Sequence, residues 1–484
     1  MLQSDNQARA IAVDEPLIDG SPTGVQEATS TGKIPGLGNI PIRRLAFWIQ
    51  KGGFAILDQG LISGSNFVIS ILLARWLLPE QYGAYAVAFG IFVLLSLVYQ
   101  SLVLEPMAVF GGSSYRGCLR GYLHSLLWIH IAISLAIGVV FGASALVTRQ
   151  FAHSSVLAGA LAGVTFASPC ILFFWLARRT FYLELSASKA AAGAFVYTAL
   201  SMGGLFIVYH RGLLSPFSAF ALMGGAALGT GCYNMVRLRK QLRPSTYAPT
   251  VGESWHRHWK YGRWALASCV ANWIPAYIYY PLLSSFGNMA HSGQLKALMN
   301  FTLPVEQTKA ALSLLFLPYA ASVLARKGKA SAGSIGLRMT MVSLLVSGPY
   351  WTALLLFRHP MFHFLYSGKY SDIVHLLPAV AVGSILWSAC FGPGIALRAM
   401  ESPDLVFTAF AIATFLSLLV GVPAAWKFGL NGAIWGTNLA DFLSLVIVIV
   451  VLRRKITGRS GILEKLVPRK RATATALAEA VSAE

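Results

Sequence analysis

The sequence predicts an all-α membrane protein whose helices cross the bilayer about twelve times. The first observation is composition: the 484 residues are 56% hydrophobic and only 12% charged, with a mean hydropathy of +0.62. Soluble domains carry about twice that charged fraction. The second is length: apolar runs of roughly 20 residues, enough for a helix to cross about 30 Å of hydrocarbon, recur from Phe54 to Leu452.

The apolar runs divide the chain into tails, spans and one long polar interruption. Residues 1–45 mix Gly, Pro, Ser, Thr and acidic residues without periodicity, which predicts a flexible cytoplasmic tail. The longest polar stretch, 237–263, is a predicted basic cytoplasmic linker, and it separates a six-helix bundle at 46–236 from another at 264–452. Residues 453–484 form a predicted basic cytoplasmic tail. The predicted spans are 54–76, 84–108, 122–147, 155–177, 190–209, 214–236, 264–286, 294–318, 339–358, 375–397, 404–426 and 431–452.

The basic residues predict the orientation. With the amino terminus in the cytoplasm, thirty of the 38 Lys and Arg residues fall on the inner side, and two, Lys296 and Lys309, fall within a span. Only six lie outside: Arg75, Arg149, Arg211, Arg358, Lys369 and Lys427. The positive-inside rule therefore predicts that both termini are cytoplasmic. The expected location is a bacterial inner membrane.

The net charge of +20 does not indicate nucleic-acid binding. The basic residues are spread over predicted cytoplasmic loops, where they face anionic lipid headgroups, and no nucleic-acid-binding motif lies between them. The predicted partners of these loops are membrane lipids.

The sequence gives no sign of a cofactor or of catalysis. The five cysteines contain no CxxC pair, and neither HExxH, GxSxG nor GxxxxGK[ST] occurs. We therefore predict that the protein is not an enzyme and binds no metal.

A polar stripe runs along the first span. At about 100° per residue, its members fall within about 60° of one another. They are Gln59, Ser63, Asn66 and Ser70. The stripe is either the wall of a cavity or, with Gly60 and Gly64, a helix-packing face. Asp58 lies about 100° away, near the cytoplasmic end, where partial hydration would keep it ionised.

The eighth span is the most polar, since it holds three ionisable residues. Lys296, Asn300 and Gln307 lie within about 40° of each other, whereas Glu306 and Lys309 stand three apart on an adjoining face and can pair. Pro304 between them predicts a kink. These residues indicate that the helix lines water or binds an anion. The alternative is that Lys296 snorkels outward while Glu306 merely neutralises Lys309.

Three further polar residues are candidates for a cavity wall or for ion coupling. Glu105 precedes Pro106 near the inner end of the second span, Asn272 lies within the seventh, and Asp441 shares a face with Thr437 and Ser444 in the twelfth. Each is also explained as a satisfied structural group. An aromatic face in the seventh span is either a sugar-stacking surface or an interfacial belt. It comprises Trp273, Tyr277 and Tyr280.

The chain resembles the polysaccharide flippases, of the O-antigen and exopolysaccharide kind, within the multidrug/oligosaccharidyl-lipid/polysaccharide (MOP) exporter superfamily. The clearest likeness is the run LARWLLPEQYGAY, which follows that family's "LAR-L-P-E-YG-Y" pattern. Its matching residues are Arg75, Pro79, Glu80, Tyr82, Gly83 and Tyr85. Three further stretches look similar, LEPMAVFG, ARRTFYLELSASKAAAGAFVY and FGLNGAIWGTNLADFLSLV, so the resemblance extends from Phe54 to Leu452.

The resemblance implies two six-helix bundles around a central cavity that opens alternately to either side. The cargo would be an undecaprenyl-diphosphate oligosaccharide, with Lys296 or Lys309, supported by Asn300 and Gln307, contacting the diphosphate. The implied cavity wall and ion-coupling candidates are Asp58, Gln59, Asn66, Glu105, Asn272, Glu306 and Asp441. An H⁺ or Na⁺ gradient would drive transport, and a polysaccharide polymerase and other assembly proteins would be partners.

Three other functions remain open at this stage. A multidrug exporter of the same superfamily that carries cationic drugs would favour an acidic cavity over one with lysines. A peptidoglycan-precursor flippase usually has fourteen spans. An integral-membrane polysaccharide polymerase or ligase tends to carry a long outer loop with catalytic residues, whereas every predicted outer loop here is short.

Overall fold

The regular structure of the computed structural model is helical throughout the residues that it describes, 42–151, 154–242, 247–400 and 402–458. Most of the predicted amino-terminal tail, up to residue 41, and the predicted carboxy-terminal tail from 459 onward lie outside these residues. Residues 243–246 of the predicted linker do so too.

The first half of the chain forms seven helices. They are α1 (Ile42–Trp76), α2 (Pro79–Tyr99), α3 (Glu105–Gly112), α4 (Leu119–Phe151), α5 (Ser155–Leu183), α6 (Ala187–His210) and α7 (Pro216–Gln241). Their starts follow from local chemistry: Ser154 accepts from the Leu157 backbone N–H at 3.4 Å, and Ser215 accepts from that of Ser218 at 3.1 Å. A five-residue π-helical turn, Gln100–Leu104, joins α2 to α3 just before Pro106.

The second half forms eight helices. They are α8 (Val251–Tyr277), α9 (Tyr279–Phe286), α10 (Met289–Met299), α11 (Leu303–Lys327), α12 (Ala332–Leu356), α13 (Arg358–Tyr366), α14 (Leu377–Ala399) and α15 (Pro403–Thr457). The short 3₁₀ segment Asn300–Thr302 separates α10 from α11, next to the Pro304 at which the sequence predicts a kink. Within α15, Gly429 has φ 57° and ψ −129°, so two helices meet there.

The helices confirm the predicted fold class. Within the described residues, nine helical segments are long and apolar enough to cross a membrane, and the last, Asp404–Thr457, contains both predicted spans that flank Gly429. The remaining two predicted spans, 214–236 and 264–286, correspond to α7 and to α8 with α9. The protein is therefore a multi-pass membrane protein of about twelve spans.

Glycines allow the two halves of the chain to meet closely. A Cβ atom on Gly293 of α10 would lie 2.6 Å from the Pro79 carbonyl oxygen, and one on Gly83 of α2 would collide with the Met289 carbonyl. These residues lie at the ends of α2 and α10 that the basic residues predict to be outside, hereafter the outer side. At the inner side, Gly262 of α8 lies against the Ser101 carbonyl of the π-helical turn. The contact surface of α2 and the following π-helical turn with α10 and α8, hereafter the α2 seam, is therefore closed at both of its ends.

Candidate functional site

A cavity of about 300 Å³ lies among α8, α9, α10, α11, α14 and α15; we call it the C-terminal cavity. Its aromatic lining includes Tyr277, Tyr279, Tyr280, Trp387 and Phe410. Its polar lining comprises Lys296, Thr302, Glu306, Ser384, Thr414, Thr437, Asn438, Asp441 and Ser444. The cavity therefore brings together one ammonium, two carboxylates and several rings, a combination that suits a small polar ligand with apolar faces.

Lys296 is a buried cation without a carboxylate partner. Its side chain lies on α10 and is only 4% exposed, and its Nζ stands 4.3 Å from the ring centroid of Phe89 on α2. None of the ion pairs among the described residues includes it. A desolvated cation–π contact returns about 2 kcal/mol, whereas removing an ammonium from water costs several kcal/mol. The ammonium therefore has both the need and the free donors to hold an anion.

Glu306 and Lys309 form the ion pair that their spacing predicts. Lys309 Nζ donates to Glu306 Oε1 at 2.7 Å, and Trp387 Nε1 donates to the other carboxylate oxygen at 3.3 Å. Lys309 Nζ also stands 5.3 Å from the Trp387 ring centroid. The two charges therefore largely neutralise each other, which distinguishes Lys309 from the unpaired Lys296.

Asp441 faces the C-terminal cavity from α15, next to Asn438. The Asn438 amide donates to the Ala379 carbonyl at 2.8 Å, and a Cβ atom on Gly383 would lie 3.3 Å from Asp441 Oδ2. The glycine therefore leaves the room that both polar side chains occupy. Because Asp441 and Glu306 face one cavity from different helices, a proton or a small cation can interact with both.

Neither Asn300 nor Gln307 lines the C-terminal cavity that Lys296 lines. Asn300 and Lys296 both contact α2, at Tyr82 and Phe89, whereas the 3₁₀ segment between α10 and α11 changes the rotation between Lys296 and Gln307. Fully buried, Asn300 accepts from Ser70 Oγ at 2.8 Å and donates to Tyr82 Oη at 3.0 Å. Asn300 therefore joins the start of the 3₁₀ segment to α1 and α2. Gln307 is exposed and accepts from Ser63 Oγ at 3.2 Å.

The polar stripe of α1 contacts the second half of the chain through two of its four members. Ser70 and Ser63 bond to Asn300 and Gln307, yet Gln59 and Asn66 on the same face are exposed. Cβ atoms on Gly60 and Gly64 would meet no atom within 4 Å. Ser63 and Ser70 therefore pack as a helix-packing face does, whereas Gln59 and Asn66, which alternate with them along the helix, are exposed.

Asp58 is held by Arg178, a partner that the sequence analysis misses. Arg178 of α5 donates to both carboxylate oxygens, with Nε at 2.9 and 2.8 Å, and Tyr182 Oη donates to one of them as well. Asp58 is fully buried, so its charge is stabilised by the guanidinium and not by the partial hydration expected from its place in the sequence. Arg178 also donates to Gln59 Oε1 at 3.1 Å, which joins this pair to the polar stripe.

Glu105 does not line the C-terminal cavity. Glu105 is half-buried at the start of α3 and lies close enough to Arg179 to interact with it electrostatically. Asn272 lies in α8, and its side chain is outside the described part of the structure. One residue further, Trp273 Nε1 donates to the Gly90 carbonyl of α2 at 2.9 Å, and its ring stacks on Tyr277 with centroids 6.0 Å apart. The aromatic face of the seventh span thus contacts α2 through Trp273 and lines the C-terminal cavity through Tyr277 and Tyr280.

The inner end of α8 is fastened to α4 ahead of the predicted seventh span. Tyr122 Oη donates to His258 Nε2 at 2.5 Å, while His258 Nδ1 donates to the Leu102 carbonyl at 2.8 Å. Ser125 and Ser254 hydroxyls lie 2.8 Å apart beside them. Burial lowers the pKa of His258 to about 4, so the imidazole stays neutral at ordinary pH. We call this cluster, Tyr122, Ser125, Ser254 and His258, the inner latch.

Comparison with known proteins places this helix arrangement. No protein-family model and no curated protein matches the sequence. Among solved structures, an inward-facing multidrug resistance transporter of the MATE family superimposes with a TM-score of 0.67, at 13% identity over 86% of this chain and 100% of the other. The fold is that of the MOP superfamily transporters.

Other MOP structures show how widely this fold is used. The lipid II flippase MurJ in an inward closed conformation gives a TM-score of 0.62, at 14% identity over 84% of this chain and 87% of its own. A MOP transporter from Pyrococcus furiosus, described as having a binding pocket of reversed polarity, gives 0.58, at 12% identity over 84% of this chain and 94% of its own. At these identities the likeness establishes the MOP fold, and the cargo must be argued from the cavity.

Proposed function

We propose that the protein is a flippase that moves undecaprenyl-diphosphate-linked oligosaccharide repeat units across the bacterial inner membrane by alternating access, for O-antigen or exopolysaccharide biosynthesis. The observation that carries this proposal is Lys296, a buried and unpaired ammonium among aromatic rings. A diphosphate supplies the charge-assisted hydrogen bonds that this ammonium lacks. Tyr277 and Tyr280 offer ring faces to the adjoining sugar.

The position of Lys296 suits a cargo that is only partly enclosed by the C-terminal cavity. The C-terminal cavity, at about 300 Å³, is at the small end of ligand sites and has no room for a whole repeat unit. Lys296 also touches Phe89 of α2, so it stands where the two halves meet. The diphosphate and first sugar would bind at Lys296, the further sugars would contact the exposed Gln59 and Asn66 of α1, and the polyprenyl tail would stay in lipid.

Glu306 and Asp441 are the candidates for coupling to an H⁺ or Na⁺ gradient. Both carboxylates face the cavity that holds Lys296, so binding of a cation changes the field that an anionic cargo experiences there. Transport of this kind needs no cofactor and no covalent chemistry. The distribution of basic residues supports an orientation with both termini in the cytoplasm, where cargo is loaded, and a polymerase would receive the cargo on the other side.

A multidrug exporter is the second candidate, because the same two carboxylates can attract a cationic drug. Lys309 neutralises Glu306 at 2.7 Å, however, and the free charge of Lys296 repels a cation. The neutralised Glu306 and the unpaired ammonium of Lys296 together favour an anionic cargo over a cationic one. A membrane-embedded polymerase or ligase is the weaker alternative, since the solved structures that share this fold are transporters and flippases.

Deletion of the gene tests the proposal. We expect the deletion to abolish surface polysaccharide and to leave lipid-linked repeat units exposed on the inner leaflet. Translocated but unpolymerised units would instead indicate a polymerase. Unchanged polysaccharide with increased drug sensitivity would indicate a drug exporter.

Substitution of Lys296 tests the site. Lys296→Ala is expected to reduce polysaccharide export at least tenfold, the effect of losing about 1.4 kcal/mol of binding to a charged group, whereas Lys296→Arg retains part of it. Lys427→Ala, which removes an exposed outer lysine, is the matched control. Membrane levels of each variant are measured by immunoblot. Full export by Lys296→Ala at normal protein level would contradict the assignment.

A further inference from the structure

A second cavity, of about 430 Å³, lies at the outer end of the molecule and contains two of the six basic residues predicted to be outside. It is formed by the last turns of α1 and α6 and by the loop after α13. Its lining residues, which we call the rim site, are Leu72, Arg75, Trp76, Tyr209, Ser367 and Lys369. None of these residues lines the C-terminal cavity.

The two cations of the rim site reach across between the halves of the chain in opposite directions. Arg75, at the end of α1, donates to the Phe364 carbonyl of α13 at 3.2 Å, and Lys369 donates to the Leu77 carbonyl at 2.9 Å. These bonds use one of five guanidinium N–H donors and one of three ammonium N–H donors. The remaining donors are free to bind an anion.

No acidic residue neutralises this pair. Within the described ranges the ion pairs belong to other residues, and Asp372, the acid nearest to Lys369 in sequence, instead accepts from Gln294 at 2.9 Å. Two positive charges therefore converge without a counterion. Partial burial also lowers the pKa of Lys369, which is the cost of holding an ammonium here unpaired.

An aromatic wall accompanies the charges. The rings of Trp76 and Tyr209 stack with centroids 4.1 Å apart and an angle of 10° between their planes. Aromatic side chains at the membrane surface take positions where one edge is apolar and the other is wet. A ligand at the rim site therefore meets two cations on one side and an apolar ring surface on the other, as the headgroup of a phosphate-bearing lipid requires.

We propose that the rim site binds the phosphate group of a lipid of net negative charge in the outer leaflet. Two lipids carry that chemistry: a bulk phospholipid such as phosphatidylglycerol, and the polyprenyl diphosphate of the cargo once it has crossed. Only the second source rests on the proposed function. In either case Arg75 and Lys369 bind the phosphate, and the Trp76–Tyr209 stack contacts the glycerol or the first prenyl units.

The test uses protection of a single cysteine at the rim. The chain's five cysteines are replaced, Ser367→Cys is introduced, and the full-length protein is reconstituted in nanodiscs of zwitterionic phosphatidylcholine. The rate of maleimide labelling is then measured against increasing phosphatidylglycerol, undecaprenyl diphosphate or phosphate-free undecaprenol. We expect saturable protection by a phosphate-bearing anionic lipid and none by undecaprenol.

Paired charge variants decide whether the cations are responsible. Arg75→Gln with Lys369→Gln should raise the concentration for half-protection about 100-fold, tenfold for each charged hydrogen bond lost. Arg358→Gln with Lys427→Gln removes the same charge from the same side, away from the rim site, and should leave protection unchanged. Equal loss in both pairs, or equal protection by undecaprenol, would overturn the proposal.

The identity of the protecting lipid separates the two sources. Protection by undecaprenyl diphosphate alone supports arriving cargo as the ligand, whereas protection by both lipids supports a general phosphate site. If the deletion strain exports polysaccharide normally, the proposed function fails. Protection by phosphatidylglycerol would still establish the rim site.

Discussion

The pairing of charges inside the membrane separates residues that hold the fold together from residues that are free to bind. Asp58 forms an ion pair with Arg178, and Glu306 forms one with Lys309. Lys296, by contrast, contacts the ring of Phe89 and takes part in none of the ion pairs among the described residues. A buried pair is costly to break because the remaining charge stays desolvated. The unpaired charge alone gains when an ion of opposite sign arrives, so it is the better marker of a site.

Removing one member of the Asp58 pair should destabilise the protein strongly. Asp58→Asn leaves the Arg178 guanidinium without its carboxylate, at a cost of roughly 3 kcal/mol. Asp58→Asn combined with Arg178→Gln removes both charges and should recover most of that loss. Thermal unfolding of the purified variants in one detergent measures the difference. A double variant less stable than Asp58→Asn would show that the two residues act separately.

Sequence reasoning finds partners that are close along the chain and misses those that are distant. Lys309 lies three residues after Glu306, so helix geometry alone predicts their ion pair, and the structure confirms it at 2.7 Å. Arg178 lies 120 residues from Asp58, and the sequence indicates only a basic residue near an inner loop. The packing of α1 against α5 decides that contact, and no local pattern encodes it.

At the scale of helices, the lengths of apolar runs predict the spans, whereas the interruptions follow from packing. The predicted span 294–318 covers the end of α10, a 3₁₀ segment and part of α11, and the break turns Gln307 away from the cavity wall that holds Lys296. Pro304 indicates that a distortion is near, but the change in helical phase comes from Asn300–Thr302. Face arithmetic therefore works along α1 and fails across this break.

The close approach of α2 and α10 should depend on Gly293. Gly293→Ala places a methyl group 2.6 Å from the Pro79 carbonyl oxygen, which must move away at a cost of about 1–3 kcal/mol. Gly64→Ala is the matched control, since nothing lies within 4 Å of its Cβ and the added methyl favours the helix. We expect a lower unfolding temperature for the first variant only. Equal temperatures would mean that the outer ends of the helices are not in contact.

The inner latch should weaken as the pH falls. Because burial lowers the pKa of His258 from 6.5 to about 4, the unfolded chain binds more protons between these values, and acidification therefore favours unfolding. Each pH unit below 6.5 costs about 1.4 kcal/mol until the folded pKa is reached. His258→Gln, which keeps hydrogen-bonding atoms and cannot titrate, should show a smaller fall in unfolding temperature between pH 7 and pH 5. Parallel curves for the two proteins would exclude His258 as the source.

At the scale of the whole molecule, contacts between the two halves are unevenly distributed. Between α1 and the second half, Ser70 bonds to Asn300 and Ser63 to Gln307, whereas Gln59 and the Gly60 position nearer the inner end are open. Contact between α1 and the second half is therefore made at single positions, Ser63 and Ser70, and not along the whole helix. Composition and charge predict two halves and an orientation, but which contacts are closed depends on these pairings between distant residues.

Under the proposed alternating access, the bond between Ser63 and Gln307 breaks when the molecule opens to the outer side, so a covalent link there should stop the proposed transport. In a cysteine-free background, Ser63→Cys with Gln307→Cys, joined by a short bifunctional thiosulfonate, holds α1 to α11. Ser186→Cys with Gln241→Cys is the matched control, because these residue types also bond at 3.2 Å but join α6 to α7 within the first half. Polysaccharide export is compared before linking, after linking and after reduction, so that the effect of losing the Ser63 and Gln307 side chains is separated from the effect of the link.

We expect a reversible block of export in the first pair and no block in the second. Undiminished export by the linked first pair would mean that α1 and α11 stay together throughout the cycle, and alternating access would then have to proceed along the α2 seam.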